Sequence, residues 1–247
     1  LSPLLSNIVL SELDDELARR GHRFVRYADD ANIYVRSQRA GERVMASVTQ
    51  FIERRLRLKV NATKSAVARP NTRHFLGYRL APQPDGSVEI LLSERSEKRL
   101  LERVRELTPR SSGRSLRAVI GKVNAYLQGW RGHFGVCTPG IGRVMHGTDA
   151  HIRRRLRALV LKHWKRKRTI ARRLIRLGVM ARVAWRRVYQ GRKSLWALSH
   201  DYVAHHGLQN AYFAERGLMS LHGWFEATWE ERLAPRQQML FAVPERS

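Results

Sequence analysis

Apolar residues recur at helical spacing in two segments near the start of the chain. In the first, from residue 3 to residue 20, they are Leu4, Ile8, Leu13 and Leu17. This spacing places one apolar face along a helix, and Gly21 is a natural residue for its C-terminal stop. Residues 40–57 return to the same period. The pattern therefore predicts two amphipathic helices.

Between and after these helices, the pattern changes to short β-prone runs. Residues 24–27 and 31–35 flank a short polar turn, which is typical of a β-hairpin. Further short strands are predicted at residues 65–68, 74–80 and 88–92. The first 93 residues are accordingly predicted to be α+β.

After Ser93 the chain is predicted to be helical throughout, with a helix that begins at Ser93 and Glu94. Three glycines are expected to separate helical segments: Gly113, Gly121 and Gly129. Asp149 is predicted to cap a helix that runs to about Trp164, and the next segment is predicted to end near Gly178. The predicted fold class is α+β with an all-helical second part.

The charge balance indicates which class of molecule the protein binds. Lys and Arg number 47 against 21 acidic residues, which gives a formal net charge of +26. Between Leu107 and His200 the only acidic residue is Asp149, while residues 151–193 hold seventeen Lys or Arg. With no apolar run long enough to cross a bilayer, this charge indicates a polyanionic partner, nucleic acid first and an anionic membrane surface second.

The single cysteine bears on the redox compartment of the protein, and residue 1 bears on whether the sequence is part of a longer one. Cys137 is the only cysteine, which excludes an internal disulfide and a paired-cysteine zinc site and fits a reducing intracellular compartment. Residue 1 is Leu rather than Met. We therefore expect the sequence to be part of a longer one.

The clearest candidate for chemistry is the run Tyr27-Ala28-Asp29-Asp30 at the tip of the predicted hairpin. Adjacent strand residues point to opposite faces, so neighbouring carboxylates approach one site only where the backbone turns. Clustered carboxylates suit divalent cations, and two Mg²⁺ ions roughly 3.5 to 4 Å apart promote phosphoryl transfer. The alternative is a polar turn that merely contains two Asp, because Asp is common in turns. Spacing alone leaves both interpretations open.

The basic stretch is the second candidate, as a surface for RNA. RNA is held by many salt-sensitive phosphate contacts, and its unpaired bases stack on aromatic rings or Arg planes. Apolar positions at helical spacing run through the stretch, which predicts an amphipathic surface rather than a solvated tail. Trp164, Trp185 and Trp196 lie among the cations, and core packing is the alternative role for each. The candidate RNA contacts are Arg153, Arg154, Arg155, Arg157, Lys165, Arg166, Lys167, Arg168, Arg172 and Arg173.

Four motifs, in order, resemble those of the group II intron reverse transcriptases: the YADD motif with the segment before it, the end of the palm, the primer-gripping strand, and the maturase-type thumb. In this sequence they are residues 1–8 with Phe24–Asp30, Asn61 with Lys64-Ser65, Phe75–Tyr78, and Ser115–Phe134. The chain is thus identified as a member of the bacterial group II intron-encoded reverse transcriptase/maturases.

The resemblance implies a role for each matched residue. Asp29 would be the main metal-binding carboxylate and Asp30 its neighbour, so both are the expected catalytic residues and Mg²⁺ ligands. Tyr27 and Ala28 would flank the primer terminus, and Lys64 would support the nucleotide site. The primer grip would consist of Phe75, Leu76, Gly77 and Tyr78, with ordinary strand packing as the alternative role for its side chains.

The resemblance also implies how the chain is divided. Residues 1–93 would be the C-terminal part of a polymerase palm, an antiparallel sheet with packed helices. Residues 94–200 would form an all-helical thumb and maturase domain. Residues 201–247 would be a C-terminal extension, with DNA binding as a candidate role.

The implied function is that of an RNA-directed DNA polymerase and intron maturase, which assists splicing and carries out target-primed reverse transcription. Mg²⁺ is the implied cofactor. The implied partners are group II intron RNA, a DNA target or primer, and deoxynucleotides, with no membrane partner and the oligomeric state left open. The implied location is the bacterial cytoplasm, at the nucleoid.

The sequence departs from the family pattern in one respect. The polymerase site of the family needs a further Asp from upstream of residue 1, together with the fingers, so we expect this chain alone to be inactive. Asp14 and Asp15 are expected on the solvated face of the first helix and not as substitutes. The alternatives are a polymerase-inactive RNA-binding maturase or degenerate remnant, and a reverse transcriptase recruited by its host, for example for defence.

Overall fold

The computed structural model of this chain describes residues 2–110, 113–191 and 194–232. The chain forms two units, Leu1–Val88 and Glu89–Ser247. Helices predominate, and the described strands form two small sheets of two strands each. The predicted α+β fold class is therefore confirmed. None of the described helices is long and apolar enough to cross a membrane.

The first unit begins with a helix, a hairpin and a second helix, as the apolar pattern predicts. These elements are α1 (Ser2–Arg19), β1 (Arg23–Tyr27), β2 (Asp30–Tyr34) and α2 (Gln38–Arg54). The two strands are antiparallel and are paired from Arg23 with Tyr34 to Tyr27 with Asp30. This register leaves only two residues in the connecting loop.

An apolar cluster packs the hairpin onto the helices. Its buried residues are Leu10, Leu13 and Leu17 of α1 and Val48 of α2. Phe24 and Ile33, which are paired across the hairpin, pack against this cluster. Side chains alternate along β1, so Phe24 and Arg26 are half-buried, whereas Val25 and Tyr27 are exposed. The core thus fixes one face of the hairpin and leaves its tip accessible.

The chain after α2 is less regular than predicted. Residues 65–68 form no strand, and the chain turns within the run predicted as a strand at residues 74–80. Strand β3 (Tyr78–Pro82) begins only after that turn and pairs with β4 (Val88–Leu92), which confirms the prediction for residues 88–92. A β-prone run becomes a strand only where a partner strand is available for its backbone groups, and local sequence does not supply that information.

The second unit is helical from Glu94 onward, and Ser93 caps its first helix by accepting the N–H of Ser96 at 3.2 Å. Its helices are α3 (Glu94–Leu107), α4 (Leu116–Phe134), α5 (Gly142–Trp164), α6 (Lys167–Arg176), α7 (Ala181–Tyr189), α8 (Leu195–Leu198), α9 (Tyr202–Gly207), α10 (Asn210–Ala214) and α11 (Leu221–Arg232). The predicted end near Gly178 is confirmed. Gly121 and Gly129 lie inside α4, so the prediction that they separate helices is wrong. Both occupy exposed positions of α4, where the opposite, buried face stabilises the helix.

Helix α5 is the centre of the second unit. Six consecutive residues, 156–161, are buried, so the helix is covered on all sides there. Contacts with α3, α4, α6, α8 and α11 provide this cover. Residues on α5 are consequently the ones that join distant parts of the chain.

Asp149 illustrates this central position and corrects a prediction. It lies within α5 rather than at its start, and it is buried. Its Oδ1 accepts the N–H of Leu221 at 3.0 Å, and its Oδ2 accepts the hydroxyl of Ser220 at 2.6 Å and the N–H of His222 at 3.2 Å. Asp149 therefore caps a helix, but that helix is α11, about seventy residues further along the chain.

Candidate active site and nucleic-acid interface

The tip of the hairpin is a two-residue turn with an unusual backbone. Because Tyr27 pairs with Asp30, the loop consists of Ala28 and Asp29. Ala28 has a φ of +52°, a left-handed conformation that costs a residue with a Cβ atom about 1 to 2 kcal/mol. Such strain persists only where the surroundings hold it in place.

Two carboxylates project from this turn. Asp29 and Asp30 are both exposed, and within the described residues neither carboxylate group takes part in a hydrogen bond or an ion pair. The phenol of Tyr27 beside them is 62% exposed. Carboxylate oxygens are the donors that Mg²⁺ prefers, so the turn offers two suitable ligands. In the described ranges no group of three or more His, Cys, Asp or Glu side chains could hold a metal ion. The pair therefore fits as part of a ligand set and not as a complete one.

Arg26 holds the turn from its inner face. Its Nη1 donates to the carbonyl oxygen of Ala28 at 2.8 Å and to Oδ1 of Asn7 at 2.9 Å. Its Nε and Nη2 form a two-point contact with Asp14, with distances of 2.8 and 2.6 Å to Oδ1 and Oδ2. These hydrogen bonds raise the pKa of Arg26 above its usual value. The strained peptide of the turn is thereby joined to α1.

The contact with Arg26 corrects one expectation. Asp14 was expected on the solvated face of α1, but it is half-buried and paired with Arg26. Asp15 is exposed, as expected. Sequence reasoning also missed Arg26 itself. Its position in the sequence could have indicated this role. Arg26 lies two residues before the turn and, because side chains alternate along a strand, on the same face as Phe24, which packs on the core.

Lys64 lies on a separate loop that Asn61 shapes. Oδ1 of Asn61 accepts the N–H groups of Thr63 and Lys64 at 3.1 and 3.2 Å, and its carbonyl accepts the N–H of Ser65 at 2.9 Å. This is an Asx turn, in which the side chain imitates a backbone acceptor. Lys64 is exposed at its end. Asn61 thus acts on Lys64 by fixing the loop from which it projects.

The run from Phe75 to Tyr78 forms a tight turn rather than a strand. Phe75 and Tyr78 exchange two backbone hydrogen bonds of 2.9 Å, and the residues between them, Leu76 and Gly77, have φ values of +51° and +88°. Two consecutive positive φ values are the mark of a type I′ hairpin turn. Leu76 is therefore a second strained, non-glycine turn residue of this unit. Its side chain is 38% exposed at the tip.

The predicted RNA contacts fall into an exposed group and an internal group. The exposed group lies at and beyond the junction between α5 and α6 and consists of Lys165, Arg166, Lys167, Arg168, Arg172 and Arg173. Lys165 ends α5 with a φ of +58°. This group presents six cations to solvent. Arg153 and Arg154 are half-buried.

Arg157 and Arg155 form hydrogen bonds to other residues of the second unit. This corrects the prediction that they contact RNA. Arg157 is 4% exposed, and its Nε donates to the carbonyl of Leu208 at 2.9 Å. Burial, and next the charge of Arg153, lowers the pKa of Arg157 to about 10. Nε of Arg155 donates to the carbonyl and hydroxyl oxygens of Thr108, and its Nη2 donates to the same carbonyl oxygen. Neither side chain is in the position of a free phosphate contact.

The three tryptophans of the basic stretch likewise differ in how deeply they are buried. Trp164 is buried, with Cζ of Arg173 5.5 Å from its ring centroid. Trp185 is half-buried and packs near Tyr189, with ring centroids 5.8 Å apart. Trp196 is half-buried and contacts two arginines. Packing within the second unit therefore accounts for Trp164, whereas the side chain of Trp196 is partly exposed.

Comparison with protein families gives two matches, one in each unit. Residues 1–80 match the reverse transcriptase (RNA-dependent DNA polymerase) family, and residues 97–178 match the group II intron maturase-specific domain. A comparison with curated proteins found no match. The hairpin with α1 and α2 thus belongs to a reverse transcriptase domain, and the helices between residues 97 and 178 belong to a group II intron maturase-specific domain.

The order of these two domains identifies the family. The chain belongs to the group II intron reverse transcriptase/maturases, whose parent family is that of RNA-directed DNA polymerases. Reverse transcriptases generally depend on divalent metal ions, and the two domains imply binding of intron RNA and of nucleic acid or nucleotide substrates.

Proposed function

We propose that the turn from Tyr27 to Asp30 is the catalytic end of the polymerase, with Asp29 and Asp30 as ligands of Mg²⁺. The turn itself carries the proposal: two exposed carboxylates without a partner among the described residues are adjacent in a strained backbone that Arg26 holds in place. Two-residue hairpin turns usually place Gly, Asn or Asp at a position of positive φ, whereas Ala28 occupies it here and Arg26 supports its carbonyl. The adjacent carboxylates would repel each other, and a bound cation removes that cost.

The proposed reaction is the extension of a DNA primer on an RNA template. The primer 3′-oxygen attacks the α-phosphorus of a deoxynucleoside triphosphate, the bond to pyrophosphate breaks, and the hydroxyl proton passes to solvent. Bound Mg²⁺ would supply charge neutralisation for this transfer. Asp29 and Asp30 fix where the cation binds. Tyr27 offers an exposed ring to the primer terminus, and the small side chain of Ala28 leaves the approach open.

The two other turns of the first unit supply the remaining proposed contacts. Lys64 would place its ammonium group on the triphosphate, from the loop that Asn61 fixes. The turn formed by Phe75, Leu76, Gly77 and Tyr78 would contact the primer. Its support is the positive φ of Leu76, a strained tip that is 38% exposed.

The domain assignment remains part of this proposal. We assign residues 1–93 to the palm and 94–200 to the thumb and maturase domain that binds intron RNA and assists splicing. The exposed group at the junction of α5 and α6, together with Arg153 and Arg154, supports RNA binding through its charge. We assign residues 201–247 to an extension with a role in binding target DNA, and residues 233–247 lie outside the described residues. These partners would place the protein at the nucleoid of the bacterial cytoplasm.

Primer extension on an RNA template tests the catalytic assignment, with protein made from the complete reading frame. Asp29→Asn keeps the size of the side chain but removes its charge, and we expect the rate to fall by about a thousandfold, equivalent to about 4 kcal/mol. RNA affinity should stay unchanged, because the carboxylate acts on the metal and not on the template. Asp15→Asn, at an exposed position of α1, is the matched control.

The outcomes separate the proposal from its rivals. Retention of the wild-type rate by Asp29→Asn would remove Asp29 from the catalytic role. An inactive wild-type protein that still binds RNA would instead support the polymerase-inactive maturase.

A further inference from the structure

The indole of Trp196 lies against two guanidinium groups in the second unit. Cζ of Arg154 is 4.1 Å and Cζ of Arg110 is 4.9 Å from the ring centroid. Trp196 belongs to α8, which packs on α5, and α5 carries Arg154, whereas Arg110 follows the end of α3. Stacking on an aromatic face restrains a guanidinium group while leaving its N–H edges free to donate.

Arg155 brings the end of α3 to the same place. Its Nε and Nη2 donate to the carbonyl oxygen of Thr108 at 3.1 and 2.7 Å, and its Nη2 also donates to that of Arg105 at 2.9 Å. Burial, followed by the charges of Arg110 and Arg105, lowers the pKa of Arg155. Arg155 therefore acts as a clamp that holds Arg105 and Arg110 close to α5.

Two buried side-chain nitrogens of this region lack a hydrogen-bond partner within the described residues. Nε of Arg154 and Nε2 of His151 are buried and have no hydrogen-bond partner in the part of the chain that the structure describes. Burial, and then the charges of Arg155, Arg105 and Arg154, lowers the pKa of His151. Burying a polar nitrogen without a hydrogen-bond partner is unfavourable, and more so when the group is charged. An anion beside these groups would offset part of this cost through its charge.

Among the described residues, nearby acidic side chains have other partners: Glu106, next to Arg105, pairs with Arg103 at 2.6 Å. Asp149, the only acidic residue between Leu107 and His200, is used by the N-terminus of α11. Among the described residues, no ion pair involves Arg105, Arg110 or Arg154. The cluster is therefore a concentration of positive charge with an unmet requirement for an anion.

We propose that Arg105, Arg110 and Arg154, positioned by Trp196 and Arg155, bind a backbone phosphate of RNA. The inference rests on the proposed RNA-binding function and assigns it a specific site. Guanidinium groups match the geometry of phosphate oxygens, and Arg110 and Arg154 both lie against Trp196, so one phosphate beside this ring would be attracted by both charges. The site is distinct from the exposed group at the junction of α5 and α6. It combines an aromatic ring, two arginines that lie against that ring and two unpartnered buried nitrogens, whereas the exposed group lies at the junction of α5 and α6 and along α6.

Fluorescence anisotropy with a short labelled RNA hairpin tests this site in the full chain. The double variant Arg110→Gln with Arg154→Gln should weaken binding about tenfold at low salt, and should reduce the slope of log affinity against log salt by about one, as expected for one lost phosphate. The matched control is Arg95→Gln with Arg99→Gln, which removes the same charge from exposed positions of α3. It should change affinity by less than about threefold.

A second measurement follows the pKa of the His151 imidazole. NMR titration of His151, assigned through His151→Gln, should show its pKa rising when the RNA hairpin is added, because a nearby anion stabilises the imidazolium. Inorganic phosphate alone is the second probe and should produce a smaller rise. Arg154→Lys keeps the charge but not the forked geometry, so it should fall between the wild type and the double variant.

These measurements distinguish failure of the site from failure of RNA binding. If the wild type binds the hairpin and the double variant, shown by circular dichroism to be folded, binds it with the same affinity and slope, the site is overturned while RNA binding stands. If the wild type does not bind the hairpin, both are overturned. A response of His151 to inorganic phosphate without RNA binding would overturn RNA as the ligand.

Discussion

Arg26 and Asp14 form a two-point ion pair, with Nη2 2.6 Å from Oδ2 and Nε 2.8 Å from Oδ1. Only 12% of the Arg26 side chain is exposed. Because the same guanidinium group donates to the carbonyl of Ala28, the pair connects the first helix with the turn that carries Asp29. Asp14 therefore contributes to the candidate site without contacting a substrate.

The first prediction follows from this connection. Arg26→Gln should lower the kcat of primer extension by about ten- to a hundredfold, because a displaced turn misplaces the carboxylates. KM for the nucleotide should change little, since Arg26 acts through Asp29 and not on the substrate. Arg26→Lys, which keeps the charge, should restore part of the rate.

The controls use neighbours of the pair. Arg23→Gln changes an exposed residue of the same strand and should leave kcat unchanged. Asp14→Asn should resemble Arg26→Gln, whereas Asp15→Asn should not. A wild-type kcat in folded Arg26→Gln would show that the turn does not depend on this support.

The second prediction concerns the stability of the second unit. Asp149→Ala removes the acceptor of two backbone N–H groups and one hydroxyl at the start of α11. We expect the free energy of unfolding to fall by about 2 to 3 kcal/mol, measured by urea denaturation. Asp149→Asn keeps one acceptor oxygen and should lose less.

Glu102→Gln removes one negative charge from an exposed position of α3 and should stay within about 0.5 kcal/mol of the wild type. If Asp149→Ala proved as stable as this control, α11 would not depend on its distant cap.

The third prediction separates surface cations from structural ones. The triple variant Arg166→Gln, Arg168→Gln and Arg172→Gln changes exposed side chains, so the fold should survive while the salt slope of RNA binding falls by up to about three. Arg157→Gln should have the opposite effect, lowering stability with little change in slope, because its side chain is buried against the carbonyl of Leu208. An unchanged slope in the triple variant would place the RNA surface elsewhere.

The fourth prediction concerns thiol chemistry. Burial raises the pKa of Cys137 to about 12, so the thiol stays protonated at neutral and mildly alkaline pH. Because only the thiolate is nucleophilic, iodoacetamide should not modify the folded protein at pH 8. Mass spectrometry should show full modification once denaturant unfolds the chain. Rapid alkylation of the native protein would contradict the burial of this residue.

Local patterns determined the elements that form from neighbouring residues. The apolar spacing of α1, the β-prone runs around the turn at Ala28 and Asp29, and the cap at Ser93 each lie within a few residues of the structure they specify. The same reasoning located the pair of carboxylates at a hairpin tip. It also gave the order of the two domains, a reverse transcriptase followed by a maturase domain, which the family matches support.

Tertiary structure decided which polar residues are free and which are occupied. Asp149 caps a helix that begins at Leu221, Arg157 donates to Leu208, and Arg155 holds the end of α3. These partners are 47 to 73 residues apart in the chain, so no local pattern reveals them. A buried donor or acceptor must be satisfied wherever the fold brings a partner, and sequence spacing alone does not identify that partner.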